Sequence, residues 1–381
     1  MYGLVLEGGG AKGAYQVGAY FALKEMGYSF KSVVGTSIGA INGAFIVMGE
    51  IGKCAQMWSS LTMQDFLKDN ENEVEQYEEV KYQEFSDYLE AAKGKVADFV
   101  KQKQIPLTPL KELIEKNIDE EKIRKSDIDF GLVTVNLTDK KGEKLFLKDI
   151  PKGALKKYLI ATAYFPTFKL EALDGKFYLD GGFYDNIPFD MILSQGLKPV
   201  IIRTNPNTIK DKFPENALII APKEKYASPM DFDPQKAHEI MRIGYFDAYK
   251  EVKGLLGEKY YIKKFTEDEA YKAIEELFFN KLDSLNIKNY RNNSKFRILF
   301  EEIIPNIASE FGLNSKFTYV DFIVKLIEKE AQDCKIDYLR VYTLEELIRE
   351  INFKNINISS GKVAKLNEFM KKVKDKNNGR N

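Results

Sequence analysis

"YGLVLEGGGAKGAYQVGAY", residues 2–20, joins an apolar run, three consecutive glycines and a helical pattern in a single stretch. The run lacks polar alternation and reads as a strand buried on both faces. Residues 14–26 read as the helix that follows it. Between them, Gly8, Gly10 and Gly13 satisfy G-x-G-x-x-G, the setting of a dinucleotide fingerprint. Bare N–H groups at a helix N-terminus attract any anion. The loop therefore suits a nucleotide phosphate, or an oxygen that turns negative during a reaction.

Residues further along bear on that choice. The fingerprint expects an acid about 20 residues on to hold a ribose. The second strand, "KSVVG" (31–35), has none and runs into "TSIGA". Gly35-Thr36-Ser37-Ile38-Gly39 reads G-x-S-x-G between that strand and a helix over 38–48, the context of a nucleophile elbow. A sharp strand-to-helix turn leaves no room for side chains two positions either side of the serine. The positive end of the helix points at the Ser37 hydroxyl.

A serine nucleophile needs a base and an oxyanion site. The chain has one histidine, His238, which excludes any mechanism or metal site needing two. It lies in "DPQKAHEIMRIGY" (233–245), inside a helical pattern, and reads as a surface or packing residue. A carboxylate must then take the proton directly, from a partly desolvated position at a strand end. "KFYLDGGFYDNIP" (176–188) offers Asp180, followed at once by Gly181 and Gly182. Alone, that motif is equally an ordinary turn.

Together, Gly8-Gly9-Gly10-Ala11-Lys12-Gly13, Gly35-Thr36-Ser37-Ile38-Gly39 and Asp180-Gly181-Gly182 resemble the three blocks of the patatin-like phospholipases, in the family's order. "ATAYFPTF" (161–168) and "YDNIP" (184–188) are similar to the segments flanking the family's aspartate. "MDFDPQKAHEIMRIGYFDA" (230–248) is similar to the closing helix of bacterial members. The resemblance covers residues 2–256, with one departure: Ala161-Thr162 stands where a serine is common. It implies an α/β fold, a three-layer α/β/α sandwich, followed here by a mainly α-helical C-terminal region. It implies Ser37 as nucleophile and Asp180 as proton acceptor. Gly8, Gly9 and Gly10 would form the oxyanion hole, with the Gly9 and Gly10 amides as donors. Lys12, Gly13, Gly35, Gly39, Gly181 and Gly182 complete the motifs, Lys12 by fixing the loop or attracting an anionic head group. The implied activity is a phospholipase A or lipid acyl hydrolase, cleaving fatty acyl esters of phospholipids or lysophospholipids without metal or cofactor. A nucleotide-binding α/β protein and a catalytically silent scaffold stay open as alternatives.

The wider sequence agrees with an α/β domain. Strand signals recur at "DFGLVTVNL", "EKLFLK", "FKLEAL", "KFYLD", "KPVIIRT" and "ALIIAP", followed by a helix over 234–256. Residues 71–103 interrupt this with one amphipathic helix, which reads as a solvated helix over the core ahead of a membrane-binding lid. These signals divide the chain into a domain over 1–262, with a helical insertion at about 71–117, and a helical region over 263–381. The last twenty residues hold seven Lys or Arg against two acids, a composition of solvated tails. Peripheral membrane contact, and a regulatory ligand or protein at the C-terminal region, stay open. Hydrophobic residues make up 44% and charged residues 30%, and Lys+Arg and Asp+Glu are both 57, so no global charge points to nucleic acid. Cys54 and Cys334 form no motif and suit a reducing compartment. With no signal-peptide pattern and no run of ~18 apolar residues, the expected location is cytoplasmic.

Overall fold

The computed structural model describes residues 1–66, 105–208, 212–284 and 295–357. The amphipathic helix expected over 71–103 and the basic tail lie outside the described residues. Two compact units meet between Val252 and Lys253, earlier than the expected boundary near residue 262. The shift arises because Tyr261–Ile262 pair with Val341–Tyr342, which binds them to the second unit.

The first unit is built on one mixed sheet. Its strands are β1 (Tyr2–Leu6), β2 (Phe30–Thr36), β3 (Asp129–Asn136), β4 (Lys141–Phe146), β5 (Tyr178–Asp180), β6 (Lys198–Ile202) and β7 (Leu218–Ile220). The order is β4-β3-β2-β1-β6-β7, with β5 also paired to β3. β4 and β5 run antiparallel to β3, and the remaining pairs are parallel. β1 is flanked on both edges and covered on both faces, so Leu4, Val5 and Leu6 are fully buried. That is the physical origin of its unbroken apolar run.

Side chains alternate between the two faces with the period of a strand. Val5, Val34, Val133 and Ile201 pack against Met191 and Ile192 of the Phe189–Ser194 helix. Helix α1 (Ala14–Glu25) follows the glycine loop, and α2 (Ile38–Val47) follows β2. Leu6, Val33 and Phe130 lie beneath Gly43 of α2. Every residue of α2 is buried, hence its lack of a polar face. Helix α3 (Ile51–Trp58) closes this side, with the Trp58 Nε1–H donating to the buried Asn42.

One expected strand is missing. "FKLEAL" makes only isolated bridges, Phe168 with Ile105 and Leu173 with Lys176. Asp174 and Gly175 have φ of 51° and 75°, so the chain reverses before a ladder can extend.

The second unit is mainly helical, with helices Glu267–Ser284, Ile304–Glu310, Tyr319–Asp333 and Leu344–Asn357 around a core that includes Phe278, Phe322 and Leu347. Within it the buried Glu328 carboxylate accepts the amides of Glu258, Lys259 and Tyr260 at 2.7, 2.8 and 2.7 Å, which fixes the turn leading into the unit's short parallel strand pair. No helix among the described residues is long and apolar enough to cross a membrane.

Candidate active site

Ser37 sits where β2 turns into α2, with φ 55° and ψ −129°. This conformation is sparsely populated for any residue with a Cβ. Crowding explains the flanking glycines: a Cβ on Gly39 would lie 2.3 Å from the Leu6 carbonyl oxygen, and one on Gly35 would lie 2.5 Å from the Gly39 backbone. The Ser37 amide donates to Thr162 Oγ1 at 2.9 Å, and the Thr162 hydroxyl in turn donates to the Val133 carbonyl. Thr162 therefore links the elbow to β3, and a hydroxyl is retained at the segment where the family commonly carries serine.

Asp180 reaches the same point through the sheet. β2 pairs with β3 up to Thr36 opposite Val133, and β5 pairs with β3 from Asp180 opposite Thr134. β4 occupies residues 131–136 on the other edge, so β5 continues the line of β2 along one edge of β3. The Ser37 hydroxyl donates to Asp180 Oδ2 at 2.5 Å, and the Gly182 amide donates to Oδ1 at 2.7 Å. Asp180 is 4% exposed. Burial pushes its carboxyl up to about 6, against the pull of these two hydrogen bonds.

The glycine loop borders this pair. The Gly8 amide donates to the Asn186 carbonyl at 3.3 Å, while the Gly9 and Gly10 amides carry no hydrogen bond among the described residues. Gly10 has φ 58°, and the Ala11 amide donates to the Pro229 carbonyl at 2.8 Å. A buried ion pair anchors the loop. The Leu6–Ile202 register places Glu7 beside Arg203, whose Nε donates to Glu7 Oε2 at 3.0 Å. The same oxygen accepts the Thr204 amide at 2.6 Å, and the Thr204 hydroxyl donates to the Gly8 carbonyl at 2.8 Å. Lys12 is 9% exposed and donates to Asn205 Oδ1 at 2.5 Å; burial lowers its pKa, partly countered by Glu7.

A cavity of about 310 Å³ opens over Ser37, Asp180 and the glycine loop. Its polar end carries Lys12, Asn186 and Asn205. Elsewhere the walls are apolar, including Ile41, Leu110, Phe165, Phe168 and Phe232. Such a space suits an alkyl chain attached to a polar, carbonyl-bearing group.

The structure brings Ser37, Asp180, Gly8, Gly9, Gly10, Lys12 and Gly182 together on this cavity. Gly35, Gly39 and Gly181 shape the backbone beneath it, and the Gly13 carbonyl accepts from Asn42 at 3.0 Å. Gly8 differs from its two neighbours in having its amide already engaged. His238 is exposed on the Pro234–Lys253 helix and does not line the cavity. Sequence reasoning missed Glu7, Arg203, Thr204, Asn205 and Asn186. A usable signal existed for the first two: opposite charges, each one residue past an apolar strand.

A mixed sheet thus lies between helical layers, with an elbow serine facing an apolar cavity. Residues 4–193 match the model of the patatin-like phospholipase family, and through this domain the chain belongs to that family. Among curated proteins it is similar to the uncharacterized protein YqhO of Bacillus subtilis (strain 168), 53% identical over 49 residues, 13% of this chain and 17% of that one. It is also similar to lysophospholipase nte1 of Aspergillus terreus, 60% identical over 42 residues, 11% of this chain and 3% of that one. The matches thus span only these small fractions of the relatives' lengths. Among solved structures it is similar to VipD from Legionella pneumophila, with 14% identity, TM-score 0.44 and coverage of 92% and 84% of the two chains. ExoU of Pseudomonas aeruginosa, solved in complex with SpcU, gives 14%, 0.31, 92% and 73%.

Proposed function

We propose that this protein hydrolyses fatty acyl esters of phospholipids or lysophospholipids through Ser37 and Asp180. The observation that carries the reading is the 2.5 Å hydrogen bond between them at the floor of the apolar cavity. Asp180 takes the hydroxyl proton as Ser37 Oγ attacks the ester carbonyl. The tetrahedral oxygen rests on the Gly9 and Gly10 amides, each such donor being worth about 2.7–4 kcal/mol of barrier. Asp180 returns the proton to the leaving alcohol as the C–O bond breaks, leaving an acyl ester on Ser37. Water, deprotonated by the same carboxylate, releases the fatty acid and restores the hydroxyl. Two features support direct proton transfer to Asp180: its raised pKa, and a cavity lining that does not include the single histidine.

The test is hydrolysis of a short-chain aryl ester and labelling by a fluorophosphonate. Wild-type protein is expected to turn over the ester and to be labelled at Ser37. Ser37→Ala and Asp180→Ala are expected to lose turnover while their circular dichroism stays native. Wild-type-like turnover in either purified variant rejects the pair. The head group is assigned by incubating a defined phospholipid mixture with wild type and Ser37→Ala and comparing the lipids released.

A further inference from the structure

The backbone ladder between β1 and β6 gives out just before the glycine loop. Past the Leu6–Ile202 pair, the Glu7 amide still donates to the Ile202 carbonyl at 3.2 Å. From there side chains take over. The Thr204 amide turns to the Glu7 carboxylate at 2.6 Å, and the Gly8 carbonyl is taken by the Thr204 hydroxyl at 2.8 Å. Thr204 is 3% exposed and does not line the cavity over Ser37. Any influence it has on that cavity is exerted through the glycine loop.

The hydroxyl has one proton, and its surroundings assign it. Asn205 Nδ2 donates to Thr204 Oγ1 at 3.2 Å, which uses the oxygen as an acceptor. Of the two acceptors within reach, the Gly8 carbonyl at 2.8 Å lies closer than Glu7 Oε2 at 3.3 Å. The proton therefore goes to Gly8. Asn186 Nδ2 adds a longer bond to the same carbonyl, at 3.3 Å. A carbonyl held in this way fixes the amide joined to it. The Gly8–Gly9 peptide is trans, so its N–H points opposite to its C=O. With the carbonyl turned to Thr204, the Gly9 N–H faces away from Thr204 and has no acceptor among the described residues. The peptide is also closely packed at both ends. A Cβ on Gly8 would lie 3.2 Å from Ser37 Cβ, and one on Gly9 would lie 2.4 Å from Thr204 Oγ1.

We propose that Thr204 is a positioning residue of the oxyanion site: by holding the Gly8 carbonyl, its hydroxyl aims the Gly9 N–H at the oxygen that becomes negative. The inference rests on the acyl-ester reading of Ser37 above. The Gly10 amide is held by other means, since the carbonyl joined to it, that of Gly9, accepts the Lys12 amide at 3.4 Å. Loss of the Thr204 hydroxyl thus weakens one donor of two. A preorganised donor is effective only while it stays aimed where charge develops. The penalty falls on the transition state, because the trigonal oxygen of the bound ester draws less on the donor than the tetrahedral oxyanion does. Removing one such donor outright lowers kcat by about 10²–10³-fold, which sets the ceiling of the effect.

The experiment uses the full chain with 4-nitrophenyl butyrate, active sites being counted by fluorophosphonate incorporation at completion so that unfolded protein does not enter kcat. Thr204→Val keeps the shape and loses the hydroxyl, Thr204→Ala loses it without a methyl in its place, and Thr204→Ser keeps it. Each variant without the hydroxyl is expected to lower kcat by about tenfold or more, with KM within about twofold of wild type. A trifluoromethyl ketone, whose adduct with Ser37 carries the tetrahedral oxyanion, is expected to bind more weakly by the same factor as the loss in kcat/KM. The acid limb of kcat/KM is expected to stay where wild type has it, because Asp180 is untouched. Thr204→Ser is expected to remain within about threefold of wild type throughout. Wild-type kcat in either folded variant lacking the hydroxyl, with wild type active, overturns the positioning role and leaves the hydrolase reading intact. So does a displaced acid limb, or a loss in Thr204→Ser as large as in Thr204→Val, because those mark a general structural role. A wild type that neither turns over the ester nor takes the label rejects the hydrolase reading and the positioning role with it.

Discussion

Thr36 and Asp180 face consecutive residues of one strand, opposite Val133 and Thr134 on the same edge of β3. This shared edge brings Ser37 and Asp180 together although they lie 143 residues apart in the chain. Backbone pairing, not a flexible loop, fixes the approach of hydroxyl and carboxylate.

The pH profile follows from the state of Asp180. To accept a proton it must be ionised, and burial pushes its carboxyl up to about 6. On the proposed mechanism, kcat/KM for a soluble ester is flat above that value and falls about tenfold per unit below it. Initial rates in constant-ionic-strength buffers between about pH 4.5 and 8 measure this limb.

The same shift sets a stability cost. The folded value lies above the ordinary 3.8, so the stability linked to this group is fully present below about pH 3.8 and is lost as pH rises through about 6. At neutral pH the loss amounts to roughly 3 kcal/mol at most. Asp180→Asn is expected to recover up to that amount near pH 7 and nothing near pH 3.5, while abolishing turnover. Urea unfolding at the two pH values reads it directly.

Ser37 stores backbone strain. A side chain at its φ and ψ costs about 1–3 kcal/mol, and glycine avoids the penalty. Ser37→Gly is therefore expected to unfold at higher urea than Ser37→Ala, with both inactive. Equal midpoints would show that the turn is relaxed.

Thr162 satisfies two backbone groups through one hydroxyl. Thr162→Val keeps the shape but strands the Ser37 N–H and the Val133 carbonyl, at about 1–3 kcal/mol each. Thr162→Ser retains both bonds and is expected to stay within about 1.5 kcal/mol of wild type, losing chiefly the buried methyl. Denaturation of the pair, alongside ester hydrolysis, separates hydroxyl from methyl.

Glu7→Gln removes the negative charge facing the buried Arg203 guanidinium. Breaking one side of such a pair costs about 3–5 kcal/mol, and replacing both sides with neutral groups costs far less. The double variant Glu7→Gln, Arg203→Met is thus expected to be more stable than Glu7→Gln alone in chemical denaturation.

Local sequence carried much of the fold. β1, the glycine loop, α1, β2 and α2 are legible because each is specified by neighbours a few residues away, and glycine spacing marks the two turns. "FKLEAL" misleads because its apolar residues serve the cavity wall and a tight reversal, with Phe168 lining the former. The Ser37 and Asp180 motifs can be read separately, but their meeting depends on strand register, which no short motif encodes. Asn186 and Thr204 escaped for a similar reason. Each is an unremarkable polar residue until the ends of distant strands bring it against the glycine loop.

The continuation of one strand line by another has a consequence for biosynthesis. Because β5 is the last piece laid along that edge, a growing polypeptide has an elbow serine long before it has a proton acceptor for it. On the proposed chemistry, the nascent chain is inert toward nearby lipids until its second contributor has emerged and docked.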